Sequence, residues 1–576
     1  MPTVDTPTIG KSAARPALID FKNYDPSFVV WVGAAVFLVF LMVFPLGSIF
    51  KASLWDEQGL SLRKYVEVFT TPTFLTAIWN TVIISFWVGI ISVLTGGLIA
   101  WLVTRTDMPF KKTIRALVMA SFVTPPFLGA FAWTLLAGPN AGFLNHLYRA
   151  VTGAEDALVN VFTMQGLIFV MALYSFPYAF SMIANVCELI SSELEDAAVI
   201  LGANKLHAAW NITLPIAMPA LVSGFIVVFL HSISLFGTPA ILGLPAGLHT
   251  VTTQIWALFQ YPPRLDLAAA FSVPLLLATI LLIALQKKIL GRRGFSTVGG
   301  KGGQRRLLKL GWARLPILLL VFSVLAASVF LPYWILAKAA LSKAWAMPLN
   351  WDNFTWSNFS YVLFEYSDTR GAIANTFELG ILTATAGTLM ATLIAYIINR
   401  DLFRGARFLS FFALAPLVIP GIVLAVGLFI VYAKPPLVLY GTIWILFIAY
   451  LTKEMPAGFT QAESTFKSIH PELEDASRII GANRLISLKD VTAPLARSGL
   501  IAAWCFIFVG VIRELSVSIL LFAPTSKVVS VVIFDLKEEG QIGAIAVLGI
   551  LLLVVSFVII YTVRWLLDRE VVAPRE

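Results

Sequence analysis

The sequence predicts an all-α integral membrane protein of about twelve transmembrane helices, arranged as two parallel six-helix repeats. Three observations predict it. Of the 576 residues, 59% are apolar and 13% charged, with a mean hydropathy of +0.86; an ordinary soluble chain carries about 25% charged residues. The apolar residues fall in runs long enough to cross a bilayer, which takes about 20 residues. Finally, one eleven-residue segment occurs twice. The net charge of +9 is compatible with a nucleic-acid binder. Its cations, however, gather in particular loops between apolar runs, the pattern of cytoplasmic loops and not of a basic groove.

The candidate spans are residues 28–50, 76–104, 114–138, 162–187, 216–238, 264–286, 315–337, 371–399, 408–433, 437–458, 496–521 and 541–566. The first follows a polar stretch, residues 1–27. It is too long for a signal-peptide core and lacks a cleavage site, so it reads as a retained span. With the N-terminus placed in the cytoplasm, 29 of the 41 Lys and Arg residues fall in inside segments, residues 453–497 among them. Both termini are therefore expected inside. Residues 287–314 hold nine basic residues, no acid, and the flexible tract Gly299-Gly300-Lys301-Gly302-Gly303, which suits a cytoplasmic linker. The expected organisation is a tail (1–27), a first half (28–286, its core from about 74), the linker (287–314), a second half (315–566, its core from about 371) and a tail (567–576).

The duplication is plain. Leu194 to Asn204 matches Leu473 to Asn483 in eight of eleven residues at an offset of 279. Upstream the offset is 295: Asn80-Thr81 matches Asn375-Thr376, Arg105 matches Arg400, and Pro125 matches Pro420. The difference falls in the loop after the third span of each half, where length changes are tolerated. Six spans per half give both repeats the same orientation, so an axis along the membrane normal relates them and a pathway fits between them.

The repeated segment lies between the fourth and fifth spans of each half, on the predicted cytoplasmic side. Leu194, Ala197, Ala198 and Leu201 recur at helical spacing, as do Leu473, Ala476, Ser477 and Ile480. Ser191-Ser192 offers N-caps in the first copy and Pro471 a first-turn residue in the second. Gly202 and Gly481 are placed to stop the two helices. Each copy is thus a short amphipathic helix. A lipid-surface helix favours Lys and Arg on its polar face. These copies carry Glu193, Glu195 and Asp196, and Glu472, Glu474 and Asp475, which an anionic leaflet repels. Docking to a protein is the better reading.

Asp196-Ala197-Ala198, Gly202 and Ile212-Thr213-Leu214-Pro215, and again Asp475-Ala476-Ser477, Gly481 and Val491-Thr492-Ala493-Pro494, resemble the EAA loop of bacterial ABC importer permeases, with its spacing kept in both copies. Departures are Asp for Glu twice, Ser477 for Ala, and Ala493 for Leu. The resemblance implies the type I importer fold, with Glu195, Asp196, Ala197, Ala198, Gly202 and Pro215, and Glu474, Asp475, Ala476, Ser477, Gly481 and Pro494, forming loops that couple to two separate ATPase subunits. ATP and Mg would bind those partners and no cofactor this chain. A soluble binding protein would deliver cargo at the outer face of a bacterial inner membrane. The stretches Phe236 to Gly243 and Arg513 to Leu521, in one fused chain, look like ferric-iron permeases, so ferric iron is the expected cargo. Organophosphonate is next, with thiamine, sulfate and polyamine importers sharing the architecture. The rival class, a major facilitator, leaves the twin loops unexplained.

No catalytic constellation stands out. Gly10-Lys11-Ser12 resembles the end of a phosphate-binding loop, but Asp5 replaces its first glycine. The two cysteines, Cys187 and Cys505, have no metal-ligand spacing and read as buried hydrophobes; no metal site is expected. Ionisable and polar residues within spans are costly and face a bundle interior or water. Arg513, Glu514 and Ser516, with His231 and Ser234 in the equivalent helix of the first half, are therefore candidates for the pathway or its gate, set against a plain packing role.

Overall fold

The computed structural model describes residues 28–190, 200, 202, 204, 207, 209–291, 307–403 and 405–572. Its helices include α1 (Phe28–Leu54), α2 (Pro72–Arg105), α3 (Lys111–Val123), α4 (Pro126–Ala137), α5 (Met164–Leu189), α6 (Leu214–Ser234), α7 (Val251–Ala257), α8 (Leu265–Gly291), α9 (Gly311–Ala340), α10 (Ser367–Asn399), α11 (Ala406–Leu417), α12 (Gly421–Tyr432), α13 (Ile443–Lys467), α14 (Glu472–Ile479), α15 (Ala493–Ile512), α16 (Val529–Glu538) and α17 (Ile542–Val572). A two-stranded hairpin, Trp55–Asp56 with Gly59–Leu60, follows α1.

The repeat is visible in the helix starts. Pro72 and Ser367, Lys111 and Ala406, and Pro126 and Gly421 each differ by 295; Met164 and Ile443, and Leu214 and Ala493, differ by 279. Among the described residues nine helices are long and apolar enough to cross a membrane, and the bent pairs α3–α4 and α11–α12 bring the count to eleven. The twelfth expected span corresponds to α13, which begins at Ile443, not 437, and falls short in apolarity because Lys453 and Glu454 interrupt it. The bends are 98° and 105°. Each lies at a proline that the repeat shares: Pro125 and Pro420 cap α4 and α12 in extended conformation, where a proline ring cannot continue the preceding helix.

The same hydrogen bonds recur in the two halves. The Asn80 amide donates to the His249 carbonyl (3.0 Å), and the Val251 N–H donates to Thr81 Oγ1 (2.8 Å) at the start of α7. Their counterparts are Asn375 to the Lys527 carbonyl (2.9 Å) and the Val529 N–H to Thr376 Oγ1 (2.9 Å) at the start of α16. The Asn-Thr pair thus pins a short helix that dips back into each bundle, satisfying backbone groups that lipid cannot.

The extra first helix of each half crosses to the other. Trp31 of α1 stacks on Tyr396 of α10 with centroids 5.1 Å apart, and Ser48 Oγ donates to the Gly427 carbonyl of α12. From α9, Tyr333 Oη lies 2.6 Å from Thr124 Oγ1, and the Trp334 ring meets Phe143 at 4.6 Å. The exchange interlocks the halves around a shared apolar core. The expected linker is shorter than 287–314, because α8 runs to Gly291 and α9 starts at Gly311. Its end is held at the C-terminal end of α2: Leu308 N–H donates to the Arg105 carbonyl, and Leu310 N–H to Asp107 Oδ1.

Helices α2 and α5 pack closely at Gly96, where an added Cβ would lie 2.6 Å from the Phe176 carbonyl oxygen and 2.8 Å from the Phe180 nitrogen. Small residues let membrane helices approach to this distance, and backbone atoms cannot yield. Gly96→Ala is therefore expected to lower the unfolding temperature in detergent, at a cost of about 1–3 kcal/mol from overpacking. Gly47→Ala, which meets nothing within 4 Å, should leave it unchanged or raise it.

Candidate functional site

The second copy of the repeated loop is fully described. Pro471 caps α14, Gly481 ends it with φ of +101°, and the Asn483 carboxamide accepts the Ile486 N–H (2.8 Å) to start the next turn. A positive φ suits glycine. Pro494 occupies the first turn of α15. In the first copy, residues 191–199, with Glu195, Asp196, Ala197 and Ala198, lie outside the described residues. What is described follows the second copy. Gly202 has φ of +93°, Asn204 Oδ1 accepts the His207 N–H (2.7 Å), and Pro215 starts α6. Ile200 is 84% exposed, like its counterpart Ile479 at 85%; Ile480 reaches 87%. Leu473, Asp475 and Ala476 are also exposed, and Ser477 is half-buried against Ser487.

Glu474 does not belong to the exposed acidic face that the sequence suggested. It is 4% exposed and turned inward. Its carboxylate accepts from Arg400 Nη2 (2.8 Å) and Nε (3.1 Å), Tyr396 Oη (2.9 Å) and Thr492 Oγ1 (2.5 Å). Burial pushes the carboxyl's pKa up, but the hydrogen bonds from Arg400, Thr492 and Tyr396 outweigh it and hold the group below its ordinary value. A carboxylate paired in this way is an intramolecular anchor.

The second site lies deep in the bundle, where the halves meet. Arg513 closes α15, and its Nη1 donates to the Phe122 carbonyl (3.0 Å) of the other half, beside the α3–α4 break, with the guanidinium over the Phe122 ring. The Phe122 ring leads to Tyr178 (5.0 Å between centroids) and that of Tyr178 to His231 (4.5 Å). Glu514 pairs with Lys453 of α13 and accepts the Val517 N–H (3.0 Å). The Lys453 ammonium and the Ser516 Cβ crowd Gly421 at the second break. The Glu454 carboxylate fills the space a Cβ on Gly510 would take. Gly237 of the first half and Leu515 of the second meet where the halves touch.

Arg513, Glu514, Ser516 and His231 are thus brought to one region, whereas Ser234 is not a cross-helix donor: its hydroxyl bonds back to the Leu230 carbonyl (2.9 Å) of its own helix. Sequence reasoning missed Lys453 and Glu454 and counted Lys453 among the cytoplasmic cations. The available signal was their position inside a predicted span. Among the described residues no group of three or more His, Cys, Asp or Glu side chains is arranged to hold a metal.

The model of the family described as "Binding-protein-dependent transport system inner membrane component" matches residues 92–293 and 384–571, one match in each half. The ferric transport system permease protein FbpB of Actinobacillus pleuropneumoniae is 25% identical over 542 residues, covering 92% of this chain and 76% of that one. The putative ferric transport system permease protein FbpB 1 of Haemophilus influenzae is 24% identical, covering 85% and 77%. The sulfate transport system permease protein CysT of Escherichia coli is 26% identical over 48% of this chain and 96% of its own. Among solved structures, a bacterial ABC transporter involved in the import of alginate matches at 16% identity and a TM-score of 0.37, over 47% of this chain and 97% of that one. With both halves matched, the chain belongs to the family of binding-protein-dependent transport system inner membrane components.

Proposed function

We propose that this chain is the complete membrane pathway of a ferric-iron importer. Two copies of a separate ATPase, carrying ATP and Mg, dock on the loops around Gly202 and Gly481. A soluble binding protein delivers the cargo outside, and both termini lie in the cytoplasm of a bacterial inner membrane. One observation carries the reading. The same glycine-ended loop occurs at equivalent places in two parallel repeats, and among the described residues Ile200, Ile479 and Ile480 stand exposed. A gate built between the halves supplies alternating access, and closing two ATPases against two loops would move the halves together.

The cargo rests on kinship. The relatives named for ferric transport span 85–92% of the chain, whereas the sulfate permease spans 48%. Sulfate is the second reading, because cationic Arg513 and Lys453 stand in the same cluster as the two carboxylates. The test is ATP-driven uptake in proteoliposomes holding the chain, its ATPase and its binding protein, with ferric iron and sulfate compared. Iron uptake that needs ATP is expected. Uptake of sulfate alone would overturn the cargo, and uptake driven by a proton gradient without the ATPase would overturn the importer.

A further inference from the structure

We propose that Glu474 is a positioning residue, the fixed link through which the second docking helix moves the gate, and not a contact to the ATPase. The proposal rests on the importer reading above and adds the route by which force leaves the loop.

Helix α14 has eight residues, and Glu474 is its one buried side chain. An unpaired carboxylate at such a place is costly, so its bonds decide how the helix sits. Every one goes to a membrane-spanning element. Tyr396 and Arg400 are four residues apart on one face at the end of α10. Thr492 is the residue immediately before α15. Charge-assisted bonds of this kind are among the strongest that side chains make. Trp31 of α1 is buried against the Tyr396 ring, which closes the node from behind.

Sliding α14 relative to α10 or α15 breaks these bonds together, so the three move as one body. Helix α15 then runs unbroken for 20 residues, about 30 Å, to Arg513 and Glu514. A displacement of the loop thus reaches the latch between Arg513 and the other half's Phe122 carbonyl with no hinge between. The first half carries Arg105, Thr213 and Glu195 at the repeat-equivalent positions, but Trp101 in place of Tyr396. Glu195 lies outside the described residues. An indole has no hydroxyl to offer, so the two arms are not chemically equal, and the second is the one tied by a phenol.

The test uses the whole transporter in proteoliposomes, reading ATPase retained on the tagged chain, ATP hydrolysed and cargo moved. Wild type fixes the cargo: ferric iron, or sulfate if iron is not moved. Wild type that moves neither would overturn the importer reading and the link with it. For Arg400→Glu and Glu474→Arg, retained ATPase is expected with cargo moved per ATP reduced about fivefold or more, the scale of ordinary coupling between sites. The exchanged pair R400E/E474R should recover most of the ratio, because the hydroxyls of Tyr396 and Thr492 can accept as well as donate. Tyr396→Phe and Thr492→Val, milder changes, should each give an intermediate ratio, which keeps the test open if the charge variants do not fold. Loss of the ATPase from Glu474→Arg, unrecovered in the exchange, would place Glu474 on the partner's surface and overturn the proposal. So would an unchanged ratio in all four single variants.

Discussion

Replacing Ile479 and Ile480 with Asp is expected to strip the ATPase from the chain and leave the chain itself intact. Both side chains are more than four-fifths exposed at the end of an eight-residue helix, so the packing of the described residues does not depend on them. Changes at such positions usually fall within about 0.5 kcal/mol of neutral for the fold. In the proposed assembly they enter a partner's surface, where a central apolar anchor contributes about 2–4 kcal/mol. Two carboxylates in their place add the desolvation of unpaired charge. With about 1.4 kcal/mol per tenfold, affinity should fall roughly a thousandfold or more, below what survives purification. The measurement is co-purification of the ATPase with tagged chain, alongside the chain's own elution and unfolding temperature. Ile479→Leu/Ile480→Leu, which keeps the apolar surface, should retain the partner. An aspartate variant that still holds its ATPase in full amount would remove Ile479 and Ile480 from the docking surface.

The features that the sequence read well are those encoded locally or twice. Long apolar runs marked eleven of the spans, and the two offsets found from short matches recur in the helix starts across both halves. The matched prolines Pro125 and Pro420 stand at both breaks, but no local signal sets bends of 98° and 105°, which depend on the packing of neighbouring helices. Nor does composition reveal that α1 packs on the second half and α9 on the first. The misread residues share one cause. Glu474 sits in the first turn of a helix with Glu472 and Asp475, where acids favour the helix dipole and look alike in a sequence. Arg400, 74 residues earlier, with Tyr396 and Thr492, holds one of them inside. Lys453 looked like a cytoplasmic cation because its partner Glu514 is 61 residues away. In both cases the chemistry of a charge is set by a partner that only the fold brings near.

That dependence makes Glu514→Ala the second change of large expected effect. Glu514 is 8% exposed; one carboxylate oxygen holds the Lys453 ammonium and the other accepts the Val517 N–H. Removing it leaves the Lys453 ammonium within a span without its paired carboxylate and a buried N–H without its acceptor. Breaking a buried pair in this way costs about 3–5 kcal/mol, so the variant should unfold at much lower temperature or fail to accumulate. Lys453→Met with Glu514→Gln removes both charges, and the Gln carbonyl can still accept the Val517 N–H. Apolar or neutral replacements of a buried ion pair are often close to neutral in stability, so most of the loss should return. The pair's function is then read in a protein that folds. If the double variant is stable and still docks its ATPase but moves no cargo, the charges belong to the pathway or its gate. If transport returns along with stability, the pair only balances itself, and the search for cargo contacts narrows to Arg513, Glu454 and His231.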